Sequence, residues 1–327
     1  MRTPPEVKAW RSGGTPGIDG LEFAEIAPPE PGPGELLVRV EGAAVNFSDL
    51  LMIDDRYQVR PPRPFTPGQE IAGTVEAAGP GAAIPPGARI AAKLLHGGFA
   101  ERATVRADMA MRLPDGIAAA TGAALPVVYT TAVVALAETA AVGEGDWVLV
   151  FAATGGLGIA MTQVARALGA RVIAVASGAA KAEVARAEGA AAAIPSDARD
   201  FVDRVRAATG GQGVRVAVDS VGGAATARAL DCLAWRGELL VAGFLSGEVA
   251  KIPAHRLLLK GASARGVYWD HDRDPALVAR AQDRVLAMAA SGVIRPRVDA
   301  RHPLSELPRA LEALAQRSTV GKLVLAP

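Results

Sequence analysis

Cysteine and histidine are scarce in this chain of 327 residues, which contains one cysteine, Cys232, and four histidines. A single cysteine excludes a disulfide framework and a zinc lobe of the Cys-x2-Cys type. The net charge of +1 gives no electrostatic basis for binding nucleic acid or an anionic membrane. No apolar run approaches the roughly 20 residues of a membrane-spanning helix, and the first residues are not typical of a signal peptide. We therefore expect a soluble, cytoplasmic protein.

The length predicts about two domains, and half of the residues are hydrophobic, which is enough to fill two cores. Short β-type segments separated by Pro and Gly occupy the first 120 residues and predict a small barrel or sandwich. From about residue 122, apolar strands alternate with helical segments of 10–15 residues. This alternation predicts βαβ units around a parallel sheet that is covered on both faces. The final segment, "GKLVLAP", is a strand that could return to the first domain.

The segment "FAATGGLG" (151–158) follows a predicted strand and precedes a predicted helix. Glycines in such a turn let the backbone approach a pyrophosphate closely, and the helix N-terminus offers free N–H groups to it. We therefore predict a dinucleotide-binding loop at Gly155, Gly156, Leu157 and Gly158. Ala152 stands where the first glycine of G-x-G-x-x-G is expected, so an ordinary turn between strand and helix remains the alternative interpretation.

The end of the next predicted strand bears on the choice of cofactor. A site for NAD places Asp or Glu there, where it binds the ribose 2′-hydroxyl. In this chain the strand ends at Ser177, Lys181 follows, and no acid occurs before Glu183. A hydroxyl and an ammonium group suit a 2′-phosphate, which favours NADPH. A solvated lysine at the start of a helix is the alternative interpretation of Lys181.

Several short motifs occur in a characteristic order: "VNFSDLLMIDDRYQ" (45–58), "PFTPGQEIAGTVEAAG" (64–79), "GGFAE" (97–101), "ALP" (124–126), "AATGGLG" (152–158) and "VGKLVL" (320–325). With these motifs the chain, from about Val7 to its end, resembles the zinc-independent quinone oxidoreductases of the medium-chain dehydrogenase/reductase superfamily. The resemblance implies an α/β fold with a GroES-like β-barrel catalytic domain (1–122 and 267–327) and a Rossmann-type doubly wound parallel sheet domain (123–266). It also implies a nicotinamide dinucleotide in the cleft and a homodimer.

The resemblance also indicates that the catalytic metal of related dehydrogenases is absent. Their cysteine and histidine ligands fall at Asn46 and Gln69 of this chain, and their second cysteine falls near residues 125–131, where none occurs. Two amides cannot supply the thiolate and imidazole ligands that zinc requires. Without a Lewis acid, quinones and α,β-unsaturated carbonyls are better hydride acceptors than simple ketones. We therefore expect a small-molecule quinone or enone as substrate and no metal.

The resemblance assigns catalytic roles to two residues. Tyr57 would donate a hydrogen bond or a proton to the reduced substrate, and the Asn46 amide would orient the nicotinamide ribose or the substrate carbonyl. Packing at a cleft and capping of a turn are their respective alternatives. Asp49 is interpreted as the cap of a helix that begins near Leu50, and Tyr129 as a residue of the substrate pocket or the core. The other expected cofactor-binding residues are Thr131, Phe244 and Arg317.

Two other functions stay open. A trans-2-enoyl thioester reductase would need a basic entrance for coenzyme A or phosphopantetheine, and Arg56, Arg60 and Arg63 beside Tyr57 are the candidates for it. A non-catalytic NADPH-binding protein is the alternative of a different class.

Overall fold

The computed structural model describes residues 6–327 and contains two compact units. The first unit comprises the residues through Val127 together with Pro296–Pro327, and the second comprises Val128–Arg295. The predicted return to the first domain at residue 267 is too early. The segment between lies in the second unit because Trp269 donates from Nε1 to Thr131 Oγ1 at 2.9 Å and because a long helix buries Val278 there.

The strands of the described residues follow here in chain order. They are β1 Val7–Ser12, β2 Leu21–Ile26, β3 Glu35–Ala44, β4 Glu70–Ala78, β5 Arg89–Lys93, β6 Arg102–Arg106, β7 Ala110–Arg112, β8 Trp147–Val150, β9 Arg171–Ala176, β10 Ala192–Pro195, β11 Val214–Asp219, β12 Leu233–Val241, β13 Ser263–Gly266, β14 Val298–Pro303 and β15 Lys322–Ala326.

The α-helices of the same residues are mostly short. They are α1 Phe47–Ile53, α2 Ala119–Ala123, α3 Val128–Val133, α4 Gly156–Ala167, α5 Gly178–Ala187, α6 Phe201–Ala208, α7 Ala224–Cys232, α8 Ala254–Leu258, α9 Pro275–Ala290 and α10 Leu307–Ala315. A π-helical segment, Val134–Thr139, continues α3. None of the helices in the described range is long and apolar enough to cross a membrane.

The first unit is built on the ten-residue strand β3. Its sheet has the order β14-β15-β3-β4-β5-β7, and β6 also pairs with β3. Strands β4, β6 and β15 all run antiparallel to β3, so the C-terminal strand lies beside one of the earliest strands of the chain. The predicted GroES-like architecture is present, but the pairings among the described residues form an open order rather than a closed barrel. Fully buried Leu36, Ile71, Ile90 and Phe99 fill the core.

The second unit contains the predicted parallel sheet. Its order is β10-β9-β8-β11-β12-β13, and every pairing in it is parallel. Numbered within the unit, this is the order 3-2-1-4-5-6 of dinucleotide-binding folds. The central strands are buried on both sides of the backbone, since Val148, Leu149 and Val150 are each at most 1% exposed. In this topology a ligand binds at the carboxyl ends of β8 and β11, where the strand order reverses.

Candidate functional site

The predicted dinucleotide loop lies at that reversal point. It leaves β8 at Val150 and enters α4 at Gly156. The Phe151 N–H donates to Val218 O on β11 at 3.1 Å, and the Ala153 N–H donates to Val175 O on β9 at 3.0 Å. The backbone of the loop is thus bonded to the strands on both sides of β8, which fixes it at the carboxyl edge of the sheet.

Two small residues determine the shape of the loop. Ala152 has φ of 49°, a left-handed conformation that a glycine would adopt with less strain. A Cβ atom on Gly158 would lie 2.3 Å from Ala152 O and 2.6 Å from Ala153 Cα, so only glycine allows the first turn of α4 to pack against the loop. Gly155, Gly156 and Leu157 are partly exposed. The first N–H groups of α4 lack intrahelical acceptors and are available to an anion.

The residues predicted to select the cofactor lie at the same edge. Ser177 precedes α5 directly after β9, the neighbour of β8, and its side chain is exposed. Lys181 lies in the first turn of α5 and is partly exposed. Glu183, the first acid after β9, is paired with Arg186 at 2.5 Å. Phe244, after β12, is 40% exposed. These residues suit a phosphorylated ribose better than a free 2′-hydroxyl.

Two other predicted residues of the second unit make internal contacts. Thr131 accepts a hydrogen bond from the Trp269 indole, so its hydroxyl is engaged within the unit. Tyr129 is 1% exposed, and its hydroxyl donates to Gln163 Oε1 at 2.8 Å. Burial raises the pKa of the Tyr129 phenol far above its ordinary value, and Glu188 adds to that effect. Of the two interpretations of Tyr129, substrate pocket or core, its burial and its buried partner Gln163 favour the core.

In the first unit, Asn46 belongs to a buried polar cluster with Glu70 and Lys322. Asn46 Oδ1 accepts from Lys322 Nζ at 2.6 Å, and Asn46 Nδ2 donates to Glu70 Oε2 at 3.1 Å and Ala44 O at 3.3 Å. Lys322 Nζ lies 2.8 Å from Glu70 Oε2, and both residues are at most 5% exposed. Because ammonium only donates and carboxylate only accepts, these partners fix the orientation of the amide. Both N–H bonds of the amide are used, so Asn46 can offer a ligand only an acceptor.

Asp49 lies directly beside this cluster. Helix α1 begins at Phe47, earlier than predicted, and Asp49 Oδ2 accepts from the backbone N–H of Asn46 at 2.8 Å. The side chain is completely buried, and its Oδ1 has no hydrogen-bond partner within residues 6–327. Burial raises the pKa of Asp49 to about 7, against the opposing effects of the Asn46 N–H and Lys322. Asp49 therefore lies at the third position of α1 and not before the helix as predicted; it caps the helix through the N–H of the N-cap residue Asn46, and it is also a carboxyl group that titrates near neutrality.

The positions that would bind zinc do not fit a metal ion. Asn46 Oδ1 already accepts from an ammonium group, which would repel a second cation. Gln69 is 3% exposed, and its Oε1 accepts from the Ser48 hydroxyl. No group of three or more His, Cys, Asp or Glu side chains within the described residues could hold a metal ion. The ammonium group of Lys322 supplies the positive charge of this cluster.

Tyr57 lies beyond the C-terminal end of α1, which is at Ile53. It is partly buried, and its N–H donates to Leu51 O at 3.0 Å. Arg63 holds the segment that contains Tyr57 in place. The Arg63 guanidinium donates to Ser12 Oγ, to Ile53 O at 2.7 Å and to Asp55 Oδ1 at 2.9 Å. Arg63 is therefore committed to holding this segment, and only Arg56 and Arg60 remain exposed for a thioester phosphate. Arg317, the remaining predicted residue, is exposed in the turn after α10.

Sequence reasoning missed Glu70, Lys322 and Gln163, which organise the polar interior of the two units. The first two lie inside quoted motifs, "PGQEIAG" and "VGKLVL". Lys322 opens the apolar strand "KLVLA", and a continuously apolar strand is typical of burial on both faces, so its lysine is a candidate for a buried charge. Gln163 lies among apolar residues of α4, and this position indicates a buried amide in the same way.

Comparisons with known proteins match both units. A model of the alcohol dehydrogenase GroES-like domain matches residues 32–115, and a model of the zinc-binding dehydrogenase family matches residues 156–283. The zinc-binding dehydrogenase match therefore does not include Asn46 and Gln69, the two positions at which zinc ligands would be expected.

Individual relatives match nearly the whole chain. Quinone oxidoreductase-like protein 2 of Rattus norvegicus is 35% identical over 309 residues, covering 93% of this chain and 88% of the relative. A mycobacterial protein solved in complex with NADPH is 34% identical with a TM-score of 0.91, covering 98% of this chain and 100% of its own. Escherichia coli quinone oxidoreductase, also solved with NADPH, is 30% identical with a TM-score of 0.89 and the same coverage.

Proposed function

Since the chain belongs to the quinone oxidoreductase family of the medium-chain dehydrogenase/reductase superfamily, we propose that it is an NADPH-dependent, metal-free reductase of quinones or activated alkenes. One observation carries this proposal: the loop at the reversal point of the parallel sheet is shaped to receive a pyrophosphate, and the adjacent strand β9 is followed by Ser177 and Lys181 instead of an acid. The two relatives solved with NADPH support the same cofactor.

The residues of the second unit have distinct roles in holding the cofactor. The N-terminal N–H groups of α4 at Gly156 and Leu157 bind the pyrophosphate, and Gly158 lets the helix start close to the loop. The Ser177 hydroxyl and the Lys181 ammonium bind the 2′-phosphate. When bound, NADPH supplies the hydride.

Substrate chemistry follows from the first unit. The polar cluster offers no Lewis acid, so the substrate must accept hydride without metal activation, as quinones and polarised alkenes do. Tyr57 donates a hydrogen bond or a proton to the oxyanion of the reduced substrate. Asn46, whose N–H groups are both occupied, accepts a hydrogen bond from a hydroxyl of the nicotinamide ribose through Oδ1.

Turnover with NADPH and 1,4-benzoquinone tests the activity, and a binding variant tests the site. Gly158→Ala would place a Cβ atom 2.3 Å from Ala152 O, so we expect a dissociation constant for NADPH at least tenfold higher, measured by fluorescence titration. Gly143→Ala is the matched control, since a Cβ atom there meets nothing within 4 Å. Tight NADPH binding without quinone or enone turnover would indicate the non-catalytic binding protein instead. Equal binding by both variants would contradict the proposed cofactor loop.

The enoyl thioester alternative is less well supported. Arg63 is one of the three arginines that could attract a coenzyme A phosphate, and it is tied to Ser12, Ile53 and Asp55. Two exposed arginines, Arg56 and Arg60, are a weak basic surface for a ligand with several phosphates.

We also propose that the chain forms a homodimer through the edge of the six-stranded sheet. Strand β13 ends that sheet, so one side of its backbone is open to another strand. Trp235, Leu258 and Leu259 near its start are each at least 70% exposed, an apolar surface that a second copy would cover. Light scattering should give the mass of a dimer, and Trp235→Glu should shift it toward the monomer. A monomeric wild-type protein would contradict this.

A further inference from the structure

Residues beside both chain connections between the two units form hydrogen bonds with the same buried side chain, that of Gln163. The first connection is Val127–Val128 and the second is Arg295–Pro296. Within the second unit, Tyr129 follows the first connection by one residue, and Arg295 immediately precedes the second. Both residues bind Gln163, which is 6% exposed in the middle of α4.

The Gln163 amide uses its full hydrogen-bonding capacity in these contacts. Its Oε1 accepts from the Tyr129 hydroxyl and from the Arg295 N–H, each at 2.8 Å. Its Nε2 donates to Arg295 O at 2.9 Å and to Glu188 Oε2 at 2.7 Å. The side-chain amide therefore pairs with the Arg295 backbone as one strand residue pairs with another. Because Arg295 N–H only donates and Glu188 only accepts, the orientation of the amide is fixed.

The position of Gln163 on α4 gives these contacts a consequence for function. Helix α4 begins at the loop that would bind the cofactor pyrophosphate, and Gln163 lies two turns further along the same helix. A helix transmits a displacement of its first turn along its length because its hydrogen bonds make it rigid. On the other side of the first connection, the Val127 N–H donates to Glu70 Oε1 at 2.6 Å, so this connection is also held by the Asn46 cluster.

We propose that Gln163 is a positioning residue that fastens both inter-unit connections to the cofactor-binding helix, so that dinucleotide binding at the α4 N-terminus stiffens both connections together. The coupling rests on the proposed function, since it requires a dinucleotide at that loop. The anchoring itself does not require the cofactor.

Hydrogen–deuterium exchange tests both parts, followed in peptides that cover residues 124–131 and 291–298. Without NADPH, Gln163→Met should exchange at least fivefold faster than wild type in both segments. Val164→Ala, which removes buried methyl groups from the same helix and no hydrogen bond, should change both segments less than twofold. Acceleration of only one segment, or equal acceleration by Val164→Ala, would overturn the anchoring.

Saturating NADPH should slow exchange in both segments of wild type but not of Gln163→Met, while the dissociation constant for NADPH changes less than threefold. Because the proposed reaction uses groups from both units, kcat with 1,4-benzoquinone should fall at least tenfold in Gln163→Met and remain within twofold in Val164→Ala. Equal protection by NADPH in variant and wild type would overturn the coupling. If wild type does not bind NADPH, the proposed function and the coupling fail together, and the cofactor-free exchange still decides the anchoring.

Tyr129→Phe provides a second test if Gln163→Met does not fold. It removes one hydrogen bond and keeps the ring, so exchange should rise at residues 124–131 and stay unchanged at 291–298. Unchanged exchange in both segments would overturn the anchoring of the first connection.

Discussion

Replacing Asp49 by asparagine separates the charge of this buried carboxyl from its hydrogen bond. The asparagine oxygen still accepts from the Asn46 N–H, so the start of α1 is preserved. Burial raises the pKa of Asp49 from its ordinary value of 3.8 to about 7. A raised pKa in the folded state means that stability is fully present below the unfolded pKa and is lost as the pH rises through the folded pKa. The wild-type protein should therefore lose stability relative to Asp49→Asn between about pH 4 and pH 7.

The size of this loss follows from the two pKa values. One unit of pKa corresponds to about 1.4 kcal/mol, so the full difference amounts to about 4 kcal/mol. At pH 5 the unfolded carboxyl is already mostly ionised, which leaves about 2–3 kcal/mol to be lost between pH 5 and pH 8. Asp49→Asn and wild type should be similarly stable near pH 4, and the advantage of the variant should grow by about 2–3 kcal/mol between pH 5 and pH 8.

Urea unfolding of both proteins at pH 5, 6, 7 and 8 measures this difference, and exchange of the α1 amides assigns it to the first unit. All groups other than residue 49 are common to the two proteins, so their titration cancels in the comparison. Parallel stability curves over this range would show that Asp49 is ionised throughout and would refute the reasoning from burial.

Three further predictions address the chemistry. Tyr57→Phe should reduce kcat for a small enone at least tenfold, since a positioned acid contributes about 10²–10⁴-fold. The loss for 1,4-benzoquinone should be modest, because its product is protonated easily by water. If the variant reduces both substrates at the rates of the parent, Tyr57 is a packing residue. Lys181→Ala should reduce the preference for NADPH over NADH by about 1–2 kcal/mol, measured by titration with both cofactors; equal affinities in the parent would contradict the role of Lys181. Elemental analysis should find no stoichiometric zinc, and chelators should leave activity unchanged; one tightly held zinc per chain would contradict the ligand argument at Asn46 and Gln69.

The architecture of the second unit was accessible from the sequence because its information is local. The alternation of apolar strands with helices predicts the parallel sheet. The glycine-rich turn between the first strand and its helix predicts which edge of that sheet binds the ligand. Helix α9 was harder to place. Its apolar face, which includes Val278, Ala281 and Val285, shows that it packs on a core but not on which one. That choice depends on its fit to α3, and no local pattern encodes it.

The interior contacts of the candidate site could not be predicted because they join residues distant in sequence. Tyr129 meets Gln163, 34 positions away, and Asn46 meets Lys322, 276 positions away. An aromatic or an amide in a motif is compatible with a pocket or with a core, and only the partner decides between them. For Tyr129 the partner, Gln163, is buried, which favours the core.

The Asn46 cluster shows why two ligand positions do not make a metal site. Changing Asn46 to cysteine and Gln69 to histidine would supply a thiol and an imidazole, but Lys322 Nζ would still point at position 46, where it now lies 2.6 Å from the amide oxygen. The ammonium is paired with Glu70 at 2.8 Å, so removing it would leave a buried carboxylate without its counter-charge. A zinc ion would therefore have to replace Lys322 as well as gain two ligands. The C-terminal strand, which carries Lys322, therefore supplies the positive charge that opposes a metal ion at position 46.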